Sequence, residues 1–304
     1  MGKHLTQQDK QTILKMYTED KVGCVTISKA IGFSQNTVIN FLKKQNIAIR
    51  SHREASLKYS CNENFFDVID TEEKAYWLGF MYADGYVTSS SLYSNGSVGL
   101  SLSVKDIEHI KRFKNDIQYD GNIKIYTTNK SSYKEGTQYC RVLINSPKLY
   151  QGAVKQGVVE HKTNILLEPD IAQHLIVHFI RGYFDGDGCI ARTQRSKGCL
   201  SFAVKILGTD NILNYINDFI EEHLHKRVQK YYKRKPDQIV SSLELGGNKD
   251  ARKFLDVLYK NATVYLNRKY ERYIELCNLL DSRALAKASG VKSPELLEHN
   301  PKAN

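Results

Sequence analysis

One nine-residue pattern occurs twice in this chain and constrains its fold more than any other feature. Residues 77–85 read WLGFMYADG, and residues 180–188 read IRGYFDGDG. In each copy an apolar run ends in a small residue, Asp and Gly, and two small residues lie four positions apart, on one face of a helix. The acids Asp84 and Asp187 hold the same register at a separation of 187 − 84 = 103 residues. The pattern therefore predicts an internal duplication with one such helix in each half.

The small residues predict how these two helices meet. Two helix faces that carry only small side chains can pack backbone to backbone. The predicted residues of this helix interface are Gly79, Ala83, Gly182 and Gly186. The glycine after each Asp suits the left-handed residue that ends many helices. A single helix of this kind would be read as an ordinary core helix with a C-terminal cap, whereas two copies in register favour a shared site.

Both acids are predicted to lie at helix C-termini, where the macrodipole is already negative. This placement costs about 0.3–1 kcal/mol for each charge, and pairing the helices adds repulsion between Asp84 and Asp187. A divalent cation removes the conflict. Carboxylate oxygens with open positions suit Mg²⁺, a metal that works with phosphates.

The two nonapeptides resemble the paired motifs of the LAGLIDADG homing endonucleases, in the form that carries both motifs in one chain. The resemblance includes the lead-in TEEKAY at residues 71–76 and covers most of the chain. It implies a mixed α+β fold, in which two αββαββα halves each contribute an antiparallel sheet to a saddle over DNA. It also implies that Asp84 and Asp187 are both catalytic residues and metal ligands, with Mg²⁺ or another divalent cation such as Mn²⁺ as the cofactor.

The same resemblance implies further site residues. In this family a basic residue near the end of each half lies close to the scissile phosphates, and the matching positions are Lys162 and Lys269. A polar residue at the end of the strand after each motif orders water in relatives, and the matching positions are Asp106 and Asp210.

The chain departs from the family pattern at the sixth motif position. The second copy has Asp185 there, whereas the first has Tyr82. This position is usually structural in the family, so we expect the departure to affect helix packing rather than metal binding.

Helix and strand patterns alternate twice after residue 65. Apolar alternation and helical periodicity predict strands at 98–104, 122–128 and 139–145 around a helix at 106–116, and then strands at 200–207, 227–233 and 239–245 with helices at 210–224 and 249–259. The two halves are predicted at 65–170 and 171–281, followed by a flexible polar tail at 282–304. We expect a pseudo-twofold monomer.

The first fifty residues predict a small all-α domain of three short helices. A capping box at 6–9 begins the first helix, and Gly32 separates the second from a third that Ser34 caps. The arrangement resembles a helix-turn-helix, whose last helix enters the major groove of DNA; an ordinary three-helix cap is the alternative. The residues of the third helix predicted to contact DNA are Gln35, Asn36, Thr37, Asn40, Lys43 and Lys44.

Other predicted DNA contacts lie in a linker and on the two sheets. The linker spans residues 51–64, and Arg50 and Arg53 beside or within it would follow the phosphate backbone. Alternation along the strands predicts an outward face of Lys, Arg, Gln, Thr and Tyr, which offers phosphate contacts and groove hydrogen bonds; a plain solvated face is the alternative. The predicted contacts are Ser101, Ser103, Lys105, Lys124 and Tyr126 in the first half, and Arg192, Lys205, Arg227, Gln229 and Lys233 in the second.

Composition agrees with a polyanionic partner. The chain has 44 Lys and Arg against 33 Asp and Glu, a net charge of +11, which attracts nucleic acid but does not identify it. Six cysteines contain no C-x-x-C pair, so neither a zinc site nor a disulfide framework is indicated. No apolar run has the length of a signal peptide core or a membrane span, and we expect a cytoplasmic protein of a bacterial or phage-infected cell, or an organellar one.

The resemblance implies a sequence-specific homing endonuclease, and these observations agree with it. It would act as a monomer on double-stranded DNA with a long asymmetric target site, and would break both strands by metal-dependent hydrolysis. The alternative is a nuclease-inactive relative that binds DNA or RNA, such as an intron maturase or a transcriptional regulator. Intact acids in both motifs argue against it. A repeat-built interaction scaffold would explain the duplication but not the two helix-terminal acids.

Overall fold

The computed structural model describes residues 4–20, 22–50, 59–89, 96–128, 136–160, 168–194, 199–229, 231–233 and 239–289. Within these ranges the chain forms ten α-helices and seven strands. A small group of N-terminal helices has its own apolar core, and a second, larger core runs through both of the halves that follow.

The N-terminal domain consists of the three predicted helices. They are α1 (Gln7–Leu14), which a π-helical turn (Lys15–Glu19) extends, α2 (Cys24–Ile31) and α3 (Gln35–Lys44). The capping box at the start of α1 is formed, because Asp9 N donates to Thr6 Oγ1 at 3.1 Å and Thr6 N donates to the Asp9 carboxylate at 2.9 Å. Gly32 ends α2 in the left-handed conformation, with φ 68°, which a glycine adopts without strain.

The first half has the predicted order of elements. These are α4 (Glu72–Ala83), β1 (Gly85–Thr88), β2 (Ser97–Ser103), α5 (Ile107–Asp116), β3 (Lys124–Thr127), β4 (Gln138–Asn145) and α6 (Pro147–Lys155). The four strands form an antiparallel sheet in the order β1-β2-β4-β3. Val98, Leu100 and Leu102 point from one face of β2 into the core, so the opposite face of the sheet points away from the helices.

Within the described ranges the second half follows the same order, with one strand fewer after its second helix and one additional helix at its end. Its elements are α7 (Ile176–Asp187), β5 (Gly188–Gln194), β6 (Leu200–Gly208), α8 (Asp210–Leu224), β7 (Ser241–Gly246), α9 (Asn248–Tyr259) and α10 (Asn267–Ala288). The three strands form an antiparallel sheet in the order β5-β6-β7. Phe202, Val204 and Ile206 of β6 are fully buried and correspond to the apolar face of β2. The predicted mixed α+β fold, with two duplicated halves and two antiparallel sheets, is confirmed.

Two predictions for the second half, one of a strand and one of the position where the flexible tail begins, differ from the structure. In the described part of 227–233, only an isolated bridge between Tyr232 and Ser242 replaces the predicted strand. The reason lies in α8, because the Asn217 amide accepts from Val228 N at 2.9 Å and donates to Val228 O at 2.8 Å. Backbone groups that are satisfied by a side chain do not need a neighbouring strand. The second difference is that α10 continues to Ala288, beyond the predicted beginning of the flexible tail at 282.

Among the helices of the described ranges, none is both long enough and apolar enough to cross a membrane.

Candidate active site and nucleic-acid interface

The motif helices α4 and α7 pack against each other at their glycines. A Cβ built on Gly79 would lie 1.9 Å from the carbonyl oxygen of Phe179, and one built on Gly182 would lie 1.9 Å from that of Tyr76. Only glycine permits this approach of one backbone to another. Closer to the helix ends, a Cβ on Gly186 would lie 2.2 Å from the Cβ of Ala83. The structure thus brings all four residues of the predicted helix interface into one contact.

This contact sets the two motif acids side by side. Asp84 is the C-cap of α4, and its N–H donates to Phe80 O at 2.9 Å. Asp187 is the last residue of α7. The backbone nitrogen of Asp84 lies 3.5 Å from the point where a Cβ on Gly186 would stand, so the backbones of the two acids are neighbours. Asp84 is exposed and Asp187 is half-buried.

The Asp187 carboxylate adjoins the hydroxyl group of Tyr183. That hydroxyl donates to Leu207 O at 2.9 Å. Burial, followed by the charge of Asp187, raises the pKa of Tyr183 well above its usual value. Tyr183 therefore stays neutral beside the acid and links the end of α7 to β6.

The glycines that follow the acids serve a different purpose from the predicted one. Gly188 is extended, with φ −89° and ψ 165°, and neither it nor Gly85 is among the residues with positive φ. A Cβ on Gly85 would lie 2.3 Å from Met81 Sδ, and one on Gly188 would lie 2.1 Å from Phe184 Cδ2. Glycine is required here because the chain turns from helix directly into strand over a buried side chain.

The donor set is compatible with Mg²⁺ shared between protein and substrate. In the described ranges, no group of three or more His, Cys, Asp and Glu side chains is arranged to hold a metal ion. The protein's side-chain donors at this point are the two carboxylates. Mg²⁺ is commonly bound by one or two carboxylates together with waters and substrate phosphates, so two acids at an open surface fit this ion.

Lys269 lies at this site, but its ammonium group points into the protein. It is 4% exposed, and its Nζ donates to the carbonyl oxygens of Phe184 at 2.5 Å, Asp185 at 2.7 Å and Gly186 at 3.4 Å. Burial lowers the pKa of Lys269 to about 8, and the charge of Asp185 opposes this shift. Lys269 thus occupies the negative end of α7, where its bonds to these carbonyls hold the last turn, and it does not present its charge to a phosphate as predicted.

Asp185 is the hub of a buried hydrogen-bond network under the site. Its fully buried carboxylate accepts from the hydroxyl groups of Tyr259 at 2.5 Å and Tyr76 at 2.8 Å, and from Leu266 N at 2.8 Å. The Tyr76 hydroxyl also lies 3.0 Å from His109 Nε2. Burial raises the pKa of Asp185 and lowers that of His109 to about 3.

The departure at the sixth motif position is a difference in packing. Asp185 ties α7 to α9 and to the segment before α10, whereas the buried Tyr82 donates to Gln156 O at 2.8 Å and ties α4 to the end of α6. Neither residue lies on the exposed surface.

The two predicted water-ordering acids, Asp106 and Asp210, each accept a hydrogen bond from a side chain of the protein. Asp106 accepts from Arg268 Nε at 3.1 Å, and this pair joins the two halves; the Asp106 side chain is 11% exposed and that of Arg268 is 54% exposed. Asp210 accepts from Ser241 Oγ at 2.8 Å. Lys162 lies outside the described residues. Sequence reasoning missed Arg268, although it directly precedes Lys269 in the segment that the resemblance had indicated.

The outward face of the first sheet carries its predicted residues and one more cation. Lys124 is exposed and Tyr126 is half-buried. Arg141 lies opposite Lys124 in the register of β3 and β4, and its Cζ lies 5.2 Å from the centroid of the Tyr86 ring. Period-two alternation along β4 would have identified Arg141. The remaining predicted residues are the half-buried Ser101 and the exposed Ser103 and Lys105.

In the second half, ion pairs hold the predicted cations. Lys205 pairs with Glu244 at 2.7 Å, Arg227 with Asp218 and Glu221 at 2.5 Å and 2.7 Å, and Lys233 with Asp210 at 3.8 Å. Gln229 is exposed in an irregular segment.

Arg192 does not lie on the outward face of the sheet, where alternation along the strands had placed it. Arg192 pairs in register with Phe202, whose side chain is in the core, so it lies on the helix-facing side of the sheet. It contacts Glu275 of α10 at 3.0 Å.

The third helix of the N-terminal domain presents its polar residues to solvent. Five of its predicted DNA contacts are exposed and Thr37 is half-buried, while Val38, Phe41 and Leu42 form the core. Arg50 behaves differently from the prediction. Its Cζ lies 4.2 Å from the centroid of the Tyr17 ring, and its Nη2 donates to Val22 O at 2.7 Å, so its guanidinium group braces the domain. Arg53 lies outside the described residues.

No family model matches the sequence, and no curated protein is similar to it. Among solved structures, the chain is similar to the LAGLIDADG homing endonuclease I-GzeII in complex with its DNA target, with a TM-score of 0.49, 10% identity, and coverage of 78% of this chain and 94% of that chain. It is also similar to the LAGLIDADG meganuclease I-CpaMI bound to uncleaved DNA, with a TM-score of 0.44, 13% identity, and coverage of 73% and 96%. For the LAGLIDADG homing endonuclease I-LtrWI bound to target DNA, the TM-score is 0.45, the identity 12%, and the coverage 74% and 92%.

All three of these solved structures are described as LAGLIDADG enzymes, the family whose motifs the two nonapeptides resemble. At identities of 10–13% and TM-scores of 0.44–0.49 these likenesses carry no argument, and the function has to be argued from this chain's own side chains.

Proposed function

We propose that this protein is a homing endonuclease that breaks both strands of a specific DNA site by metal-dependent phosphodiester hydrolysis. The observation that carries the proposal is the pairing of Asp84 with Asp187 at the ends of two helices in backbone contact. Two carboxylates at negative helix ends disfavour each other and the fold. A site that keeps both is explained by a cation that both acids share with the substrate.

Asp84 and Asp187 would hold Mg²⁺ or Mn²⁺ together with DNA phosphates. A divalent cation bound there supplies an activated water and stabilises charge on the departing oxygen. One acid from each half suits cleavage of two strands, because each half then contributes the same group to a pseudo-symmetric centre.

Two neighbouring cations have separate parts in this proposal. Lys269 is a positioning residue, since it fixes the last turn of α7 through three carbonyl oxygens. Arg268 is the candidate for contacting a phosphate, because Asp106 accepts only from its Nε and its side chain is half-exposed, so a phosphate contact does not require displacement of the acid. A guanidinium group suits phosphate oxygens through its planar array of donors.

The substrate class follows from charge and surface. The net charge of +11 draws the chain to a polyanion, and the polar outward faces of the sheets suit the grooves of a duplex. The N-terminal domain would contact flanking major groove through α3, as the helix-turn-helix resemblance implies. A single chain with both acids would act as a monomer on a long asymmetric site.

The experiment is a cleavage selection. The intact protein is incubated with a pool of plasmids that carry randomised inserts, with Mg²⁺ or with a chelator, and the ends of linear products are sequenced. We expect ends that share one site in Mg²⁺ and none with the chelator. If the protein binds the plasmids but yields no linear product in either Mg²⁺ or Mn²⁺, the proposed endonuclease activity is contradicted. That result would favour a nuclease-inactive binding protein.

A further inference from the structure

The two sheets present outward faces of different charge. In the first sheet, Lys124 of β3 and Arg141 of β4 lie directly opposite each other. The outward positions of the described strands β1 to β4 include no Asp or Glu. In the second sheet, the outward face of the described strands has Lys205 of β6 opposite Glu244 of β7.

One cation of the first sheet, Arg141, is braced by an aromatic ring rather than by a carboxylate. The Arg141 guanidinium lies over the Tyr86 ring, and this ring rests on Gly99, where a Cβ would lie 2.2 Å from Tyr86 Cζ. Within the described ranges, no carboxylate forms an ion pair with Lys124 or Arg141. A guanidinium stacked on a ring is held in place, and its charge stays available to a phosphate.

The cations of the second half are held by acids. Lys205 Nζ lies 2.7 Å from Glu244 Oε1, with side-chain exposures of 43% and 30%. Arg227 lies between two carboxylates of α8, and Lys233 lies 3.8 Å from Asp210. A phosphate that approaches such a cation must displace a carboxylate, which then stands unpaired beside the DNA. The attraction gained is therefore small compared with that of a cation without an acidic partner.

We propose that the outward face of the first sheet attracts the DNA backbone more strongly than the outward face of the second sheet, which is nearly neutral along its described strands. The partner is the phosphate backbone of duplex DNA. This inference rests on the proposed function, because it assumes that the outward faces meet DNA. It predicts that cations on the first sheet contribute more to the salt dependence of binding than the Lys205–Glu244 pair on the second.

The test is the salt dependence of binding, measured without divalent cations on the full chain and a duplex of mixed sequence long enough to span both halves. Each phosphate that the protein no longer neutralises makes the slope of log K against log salt shallower by about 0.9. We expect this change for Lys124→Gln and for Arg141→Gln. We expect Glu244→Gln to make the slope steeper by about 0.9, because Lys205 is then free to pair with a phosphate.

The matched control removes the whole pair. The double variant Lys205→Gln with Glu244→Gln should keep the wild-type slope, since it deletes one charge of each sign. A double variant as shallow as Lys124→Gln, or a Glu244→Gln variant with an unchanged slope, would overturn the proposal. Melting temperatures of all variants check that they are folded, and all four residues lie on the surface of their sheets.

This outcome is separable from that of the proposed function. The slopes report binding in the absence of metal, so they can agree with the inference while the plasmid selection fails. In that case the protein is a DNA-binding relative with an asymmetric core. If the protein cleaves DNA but variants of the two sheets change the salt slope equally, the inference is refuted while the proposed function stands.

Discussion

Replacement of Gly79 by Ala tests the backbone contact between the motif helices. The added Cβ would lie 1.9 Å from Phe179 O, whereas ordinary contact begins near 3.4 Å, so the helices must separate by 3.4 − 1.9 = 1.5 Å. The obstacle is a backbone oxygen, which cannot rotate away. Overpacking of this kind costs about 1–3 kcal/mol or more, while the better helix propensity of Ala returns about 1 kcal/mol. Because the contact is rigid, we take the overpacking cost at the upper end of that range, about 3 kcal/mol, and after the gain in helix propensity we expect a net loss of about 2 kcal/mol.

Thermal unfolding measures this loss directly. A destabilisation of about 2 kcal/mol corresponds to a fall in Tm of about 4–8 °C for a domain of this size. The matched control is Gly246→Ala, because no heavy atom lies within 4 Å of its Cβ and its φ is not positive. If Gly79→Ala melts at the same temperature as Gly246→Ala, the helices do not meet at this glycine and the reasoning is refuted.

Three further variants test other parts of the structure. Lys269→Met should lower the free energy of unfolding by about 3 kcal/mol, because the buried Asp185 charge loses its neighbouring cation; an unchanged urea midpoint would contradict this role. His109 has a pKa of about 3 in the folded protein against about 6.5 when unfolded. Below pH 6.5 the unfolded state therefore binds a proton that the folded state does not, and the protein loses stability as the pH is lowered. The loss is about 2 kcal/mol at pH 5; His109→Gln should remove it, and equal losses between pH 7 and pH 5 in both proteins would exclude it. Deletion of residues 1–50 should leave a core that still cleaves but binds with a shallower salt slope, by about 0.9 for each phosphate that the deleted helices neutralise; identical affinity and slope would show that these helices do not bind DNA.

The sequence predicted the features that depend on local periodicity. Small residues at fixed register identified the helix contact, because Gly79 and Gly182 have to be small wherever two backbones meet. Alternation along β2 and β6 identified the buried faces of both sheets. The capping box at Thr6 was likewise visible, since its two partners are three residues apart.

Features that depend on distant partners were not predictable in this way. The strand expected at 227–233 is replaced because the side chain of Asn217 satisfies the backbone of Val228. Lys269 is buried because three carbonyl oxygens of α7 lie within its reach. The position of Arg192 followed from the register of β5 against β6, which a one-residue shift would have reversed. In each case a tertiary contact determines the outcome.

The most direct test of the central claim is cleavage and binding by Asp84→Asn and Asp187→Asn, each measured on the selected site. The amide keeps the shape of the side chain but removes the charge that attracts a cation. The account predicts that neither variant makes double-strand breaks in Mg²⁺, that affinity for DNA stays within a few-fold of wild type, and that Tm is unchanged or raised because repulsion between the acids is relieved. A variant of either residue that linearises the site at the wild-type rate would contradict the assignment of these two acids as the catalytic centre.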